Sequence, residues 1–88
     1  MTIQFDAEFH CEGVGCFLWA DEPTYGRVRF SIGSTIIVDV LGGENPVCNE
    51  RNKVLVTRER QPIQEACRRA FASRPDKQIE LEASDFRS

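Results

Sequence analysis

The stretch Val28-Arg29-Phe30-Ser31-Ile32-Gly33-Ser34-Thr35-Ile36-Ile37-Val38-Asp39-Val40 decides the reading of the fold. Val28, Phe30 and Ile32 alternate with Arg29 and Ser31, and Ile36, Val38 and Val40 alternate with Ile37 and Asp39, which is the period of half-buried strands. With Gly33 between the two runs, the segment reads as a hairpin over residues 27–41. Its register follows from the side chains. A two-residue turn at Gly33-Ser34 sets Val28 opposite Asp39 and mixes apolar with charged groups on one face. A three-residue loop, Gly33-Ser34-Thr35, sets Ile32 opposite Ile36, Phe30 opposite Val38 and Val28 opposite Val40, all on one apolar face, and is the register expected. Phe30 then points into the core. Arg29 meets Asp39 on the other face, a pair worth at most about 1 kcal/mol if exposed.

Upstream of this stretch, Ile3, Phe5, Ala7 and Phe9 alternate with Thr2, Gln4, Asp6 and Glu8 and predict a first strand. Cys11-Glu12-Gly13-Val14-Gly15 supplies a turn, and Cys16 to Ala20 reads as a strand without clean alternation. Asp21 to Gly26 is a loop. Downstream, the breakers Gly42-Gly43-Glu44-Asn45-Pro46 close the hairpin. Ile63, Ala66, Cys67, Ala70 and Phe71 then recur at helical spacing and predict one main helix over about 58–73, with Pro62 suited to its first turn and Arg74-Pro75 to its stop. Val54, Leu55 and Val56 fit either a short strand or an earlier helical piece, so residues 47–57 stay open. Lys77 to Ala83 alternates again, with Ile79, Leu81 and Ala83 inward, and predicts a last strand over 77–83. The expected fold is α+β: a small antiparallel sheet of about five strands with the helix on one face, in a single compact domain over 1–88.

The chain has 88 residues, 41% of them apolar, a level that favours a folded domain over disorder. A formal net charge of −3 argues against coating nucleic acid or anionic membrane with the whole surface. No apolar run approaches the roughly 20 residues a membrane helix needs. The start, Met-Thr-Ile-Gln-Phe-Asp, lacks the pattern of an export signal, and the expected location is the cytoplasm. Cys11, Cys16, Cys48 and Cys67 are then expected as free thiols, with Cys67 a small buried hydrophobe of the helix.

Charge is unevenly spread: residues 1–50 sum to −6, residues 51–77 to +5 and residues 78–88 to −2. On a continuous helix Arg58, Arg68 and Arg69 project away from the Ile63 stripe. They are the candidate partner-binding residues, since the arginine fork suits phosphate or carboxylate. The competing reading is a solvated helix face with Glu65 and Arg69 as an i,i+4 pair. His10, Cys11, Cys16 and Cys48 are weak candidates for a tetrahedral metal site, set against a turn with incidental thiols. His10 and Cys11 point to opposite faces if the strand continues. Tyr25-Gly26-Arg27-Val28-Arg29-Phe30 has a superficial likeness to the ring-bearing strand of RNA-recognition motifs, but the expected register buries Phe30. No phosphate loop, nucleophile elbow or activated nucleophile stands out, so neither a catalytic residue nor a cofactor is expected.

Ile3-Gln4-Phe5, Val28-x-Phe30 with the Gly33 turn, Ile36-x-Val38-x-Val40, Ile63 with Ala66, and Ile79-x-Leu81 with Asp85-Phe86 together resemble a small family of bacterial domains of unknown function, number fourteen eighty-eight. The resemblance covers nearly the whole chain and implies a compact α+β fold. That family has no assigned activity, so no site residue carries over. The functional expectation is a non-enzymatic accessory or protein-interaction module, with an unknown protein or a homo-oligomer as partner and no membrane. The alternatives are a nucleic-acid-binding accessory protein using the basic helix face, or a small zinc module.

Overall fold

The computed structural model describes residues 3–12, 15–43 and 49–87. In chain order they form strands β1 (Gln4–Phe5), β2 (His10–Glu12), β3 (Gly15–Glu22) and β4 (Gly26–Ile32), helices α1 (Ser34–Asp39), α2 (Asn49–Arg58) and α3 (Arg60–Ser73), strand β5 (Gln78–Glu80) and a 3-10 turn at Ala83–Phe86. The α+β class and the count of five strands agree with the sequence reading.

The central hairpin is not the one expected. Strand β4 pairs antiparallel with β3, which sets Cys16 opposite Ile32, Leu18 opposite Phe30 and Ala20 opposite Val28, all buried on one face. The turn between them is Pro23-Thr24-Tyr25. Glu22 Oε1 accepts the Thr24 and Tyr25 N–H groups at 2.6 Å each, and Gly26 takes φ 76°, which glycine adopts without strain. Residues 34–39 are helical instead. Ile36 and Ile37 are adjacent and both buried, which a helix lying over the sheet achieves and a strand with one core face does not. β-branched residues favour strands only weakly, and here β3 already supplies the apolar surface that Val28, Phe30 and Ile32 require. Arg29 accordingly stands between Trp19 and Gln78, and Asp39 lies on α1, so the expected pairing of Arg29 with Asp39 is absent.

The sheet is also mixed rather than antiparallel. After α1, α2 and α3 the chain returns parallel to β4, with Arg29 N–H bonded to the Lys77 carbonyl and Leu81 N–H to the Ser31 carbonyl, both at 2.9 Å. A long helical connection is what a parallel return requires. Among the described residues three α-helices thus stand where one main helix was expected. Leu55 and Val56 are buried, which resolves the ambiguous segment as α2. Glu59 separates α2 from α3. The latter matches its expected span, with Ile63, Ala66, Cys67 and Ala70 buried and its end just before Arg74-Pro75.

The first strand is divided. β1 and β2 both pair with β3, but the chain leaves the ladder between them so that Phe9 can enter the core. The Arg60 guanidinium holds this departure. It donates to the carbonyls of Asp6 and Ala7 and lies 5.4 Å from the Phe9 ring centre.

The last strand is shorter than 77–83. Ile79 and Leu81 are buried as expected, but Ala83 is exposed and opens the 3-10 turn. That turn carries a clamp. Asp85, 6% exposed, accepts from both terminal nitrogens of Arg74 at 3.0 and 2.6 Å and from Glu82 N–H at 2.8 Å. Arg74 also donates to the Glu80 carbonyl at 3.1 Å, tying the end of α3 to β5. Hydrogen bonding from Arg74 holds the Asp85 carboxyl below its ordinary range.

A depressed carboxyl stabilises the fold fully above its unfolded value, near about 3.9, and the contribution is lost as pH falls through the lower native value. Asp85→Asn is expected to lower the unfolding free energy by about 1–3 kcal/mol at neutral pH, with the deficit relative to wild type narrowing below about pH 4. Urea unfolding of both proteins across that range checks this, and a pH-independent gap counts against the clamp.

Candidate functional site on the open sheet face

Buried residues of all three helices join Cys16, Leu18, Ala20, Val28, Phe30, Ile32 and Ile79 in one core, so the described helices cover a single face of the sheet. The opposite face carries Phe17, Trp19 and Asp21 of β3, Arg27, Arg29 and Ser31 of β4, and Gln78 and Glu80 of β5, with His10 of β2 at its edge. Strand alternation places these residues together, because every second side chain of a strand faces the same way.

Rings and cations interleave on this face. Arg29 lies 5.4 Å from the Phe17 ring centre and Arg27 5.4 Å from that of Trp19. His10 stacks on Phe17 at 5.2 Å, and Phe17 meets Trp19 edge to face at 6.5 Å. Both rings remain half-buried. Each guanidinium is attracted by the electron-rich face of its ring.

The two arginines differ in their partners. Arg27 donates to both carboxylate oxygens of Asp6 at 3.1 and 2.8 Å and to Asp21 at 3.3 Å. Its hydrogen bonding holds the Asp6 carboxyl below the ordinary range and pushes the guanidinium upward. Among the described residues Arg29 forms no ion pair, and its Nε is buried with no hydrogen-bond partner. It lines a shallow groove of about 330 Å³ with Ser31, Gln78, Ile79 and Glu80. Among the described residues the Glu80 carboxylate likewise has no ion pair, although it shares that groove.

The candidate residues read from the sequence are placed elsewhere. Arg58 ends α2 and pairs with Glu59 at 3.6 Å, whereas Arg68 and Arg69 belong to α3, so the projection onto one continuous helix fails at Glu59. Arg68 lies over the Phe5 ring at 5.2 Å. Arg69 pairs with Glu65 at 3.8 Å, as its i,i+4 spacing suggested, and donates to the Asp85 carbonyl at 3.0 Å. Each of the three is engaged by the chain itself.

The cysteine reading also changes. Cys11 and Cys16 face each other across the β2–β3 ladder and form a disulfide, in place of the free thiols expected. His10 stacks on the open face while Cys16 is buried on the other, so alternation separates the imidazole from the sulfurs. Cys48 lies outside the described residues. Among the described residues no group of three or more His, Cys, Asp or Glu side chains is placed to hold a metal ion. The thiol expectation rested on a cytoplasmic location, and on location the structure adds one fact: no described helix is long and apolar enough to cross a membrane.

No family model, curated protein or solved structure matches this chain.

Two measurable consequences concern sulfur. Burial pushes the Cys67 thiol strongly upward, and since the thiolate is the reactive form, alkylation of the native protein is expected to spare Cys67 and to label it only after unfolding. Without reductant, unfolded protein is expected to leave Cys11 and Cys16 unlabelled, and reduction should cost about 2 kcal/mol of stability for so short a loop. Peptide masses after alkylation, with and without denaturant and reductant, check both. Labelling of Cys11 and Cys16 in unreduced, unfolded protein contradicts the disulfide.

Proposed function

We propose that this chain is a non-enzymatic accessory module that binds a protein partner through the open face of its sheet. The observation that carries the reading is the unpaired Arg29, with its buried and unpartnered Nε, beside the half-buried rings of Phe17 and Trp19. Protein interfaces favour aromatic and arginine anchors of this kind, because they supply large contact area and directed hydrogen bonds together. A partner carboxylate or carbonyl entering the groove would meet the guanidinium of Arg29 there. Membership of the bacterial family of unknown function is part of this proposal and rests on the core positions quoted for it.

Charge favours protein over nucleic acid. Asp6 and Asp21 neutralise Arg27, and Glu80 shares the groove with Arg29, so the face lacks the run of free cations that phosphate binding draws on. Arg58, Arg68 and Arg69 are engaged within the chain, which moves the proposed surface from the helices to the sheet.

A photo-crosslinking side chain placed at Ser31, with the exposed Thr57 of α2 as the control position, tests the reading in the protein's native host extract. The expected result is a protein adduct from position 31 alone. It should persist with little change at high salt and fall at least about tenfold when Phe17 and Trp19 are both replaced by alanine. Adducts to nucleic acid that vanish with salt, or protein adducts from position 57 alone, overturn it.

A further inference from the structure

Arg29 and Glu80 carry opposite charges and line one groove, and among the described residues neither has an ion-pair partner, Arg29 resting on the Phe17 ring instead. They are diagonal neighbours across the parallel β4–β5 ladder, since Arg29 stands opposite Gln78 and Ser31 opposite Glu80. We propose that this face is covered by a second copy of the chain, related by a two-fold axis, with Arg29 of each copy bound to Glu80 of the other. The inference rests on the open-face reading above and names its partner.

The argument for a second copy is complementarity. In a two-fold dimer, any operation that brings Arg29 onto the opposing Glu80 brings Glu80 onto the opposing Arg29, so one contact is made twice. A face holding one unpaired cation and one unpaired anion is complementary to itself. The Phe17 ring neighbours Ser31 on the adjacent strand and lies beneath Arg29, so docking across this groove also covers the apolar part of the face. Size adds a second argument. An 88-residue chain buries only about two thirds or less of its unfolded surface, and a sheet packed on one side leaves its other side to be covered. The other ion pairs stay intact, because Arg27 retains Asp6 and Arg74 retains Asp85 within each copy.

Sedimentation equilibrium of wild type, Arg29→Glu and Glu80→Arg tests this. The wild type is expected to dimerise, and each reversal alone to weaken self-association at least about tenfold by setting like charges together at both contacts. Mixing the two variants in equal amounts should restore the dimer, because the first then presents two acids where the second presents two bases. No external partner produces that rescue. Glu80 is exposed, so E80R tests the contact even if R29E disturbs β4, and the double variant R29E/E80R should associate as the wild type does. A wild type that stays monomeric, or a mixture and double variant that both remain monomeric, overturns the inference. If the wild type is monomeric while position 31 still crosslinks to a different protein, self-association fails and the open-face reading stands; if neither occurs, both fail.

Discussion

Strand β3 is hydrogen-bonded along both edges, and its alternation sets both faces of the sheet at once. Cys16, Leu18 and Ala20 face the helices, while Phe17 and Trp19 face away. A slip of one residue in its pairing would drive the two large rings into the core and turn the buried set outward. The turn held by Glu22 and Gly26 fixes the register against β4, and the Cys11–Cys16 bridge fixes it against β2. The remaining structure follows from that constraint. Helices α1, α2 and α3 occupy the apolar side, and arginines occupy the other, where their planar groups lie against ring faces.

Much of the core was legible because it rests on spacing. The α3 stripe, its stop at Arg74-Pro75, the inward Phe30 and the inward Ile79 and Leu81 all follow from periodicity and backbone chemistry. The hairpin over 27–41 was misread for a physical reason. Ile36, Ile37, Val38 and Val40 are β-branched and the segment alternates on paper, yet Ile36 and Ile37 are both buried by a helix, and five residues cannot separate the two periods. The true partner, β3, was obscured because its outward positions are also apolar, so hydropathy ran unbroken while the side chains alternated. The parallel return of β5 depends on how three helices pack, which no local pattern encodes.

The candidate site was less legible than the fold. Charge counting led to the helices, where Arg58, Arg68 and Arg69 turn out to serve Glu59, Phe5 and Asp85. The signal that did exist was Phe17-x-Trp19 followed by Arg27-x-Arg29, two pairs at strand spacing on either side of a turn. Reading them as one surface needed the β3–β4 register, which the supposed hairpin at Gly33 displaced. The two cysteines were similar: setting Cys11 opposite Cys16 needs a strand at His10–Glu12, but the first strand seemed to end before Cys11.

The face assignment of β3 is the claim on which both fold and site depend, and Trp19, the single tryptophan of the chain, reports on it directly. Acrylamide quenching of its fluorescence in dilute, monomeric protein measures whether the indole meets solvent. The account predicts intermediate accessibility, with quenching weaker than in unfolded protein but substantial, as befits a half-buried ring beneath Arg27. Blue-shifted emission that acrylamide does not quench would place Trp19 in the core and contradict the register from which the rest is built.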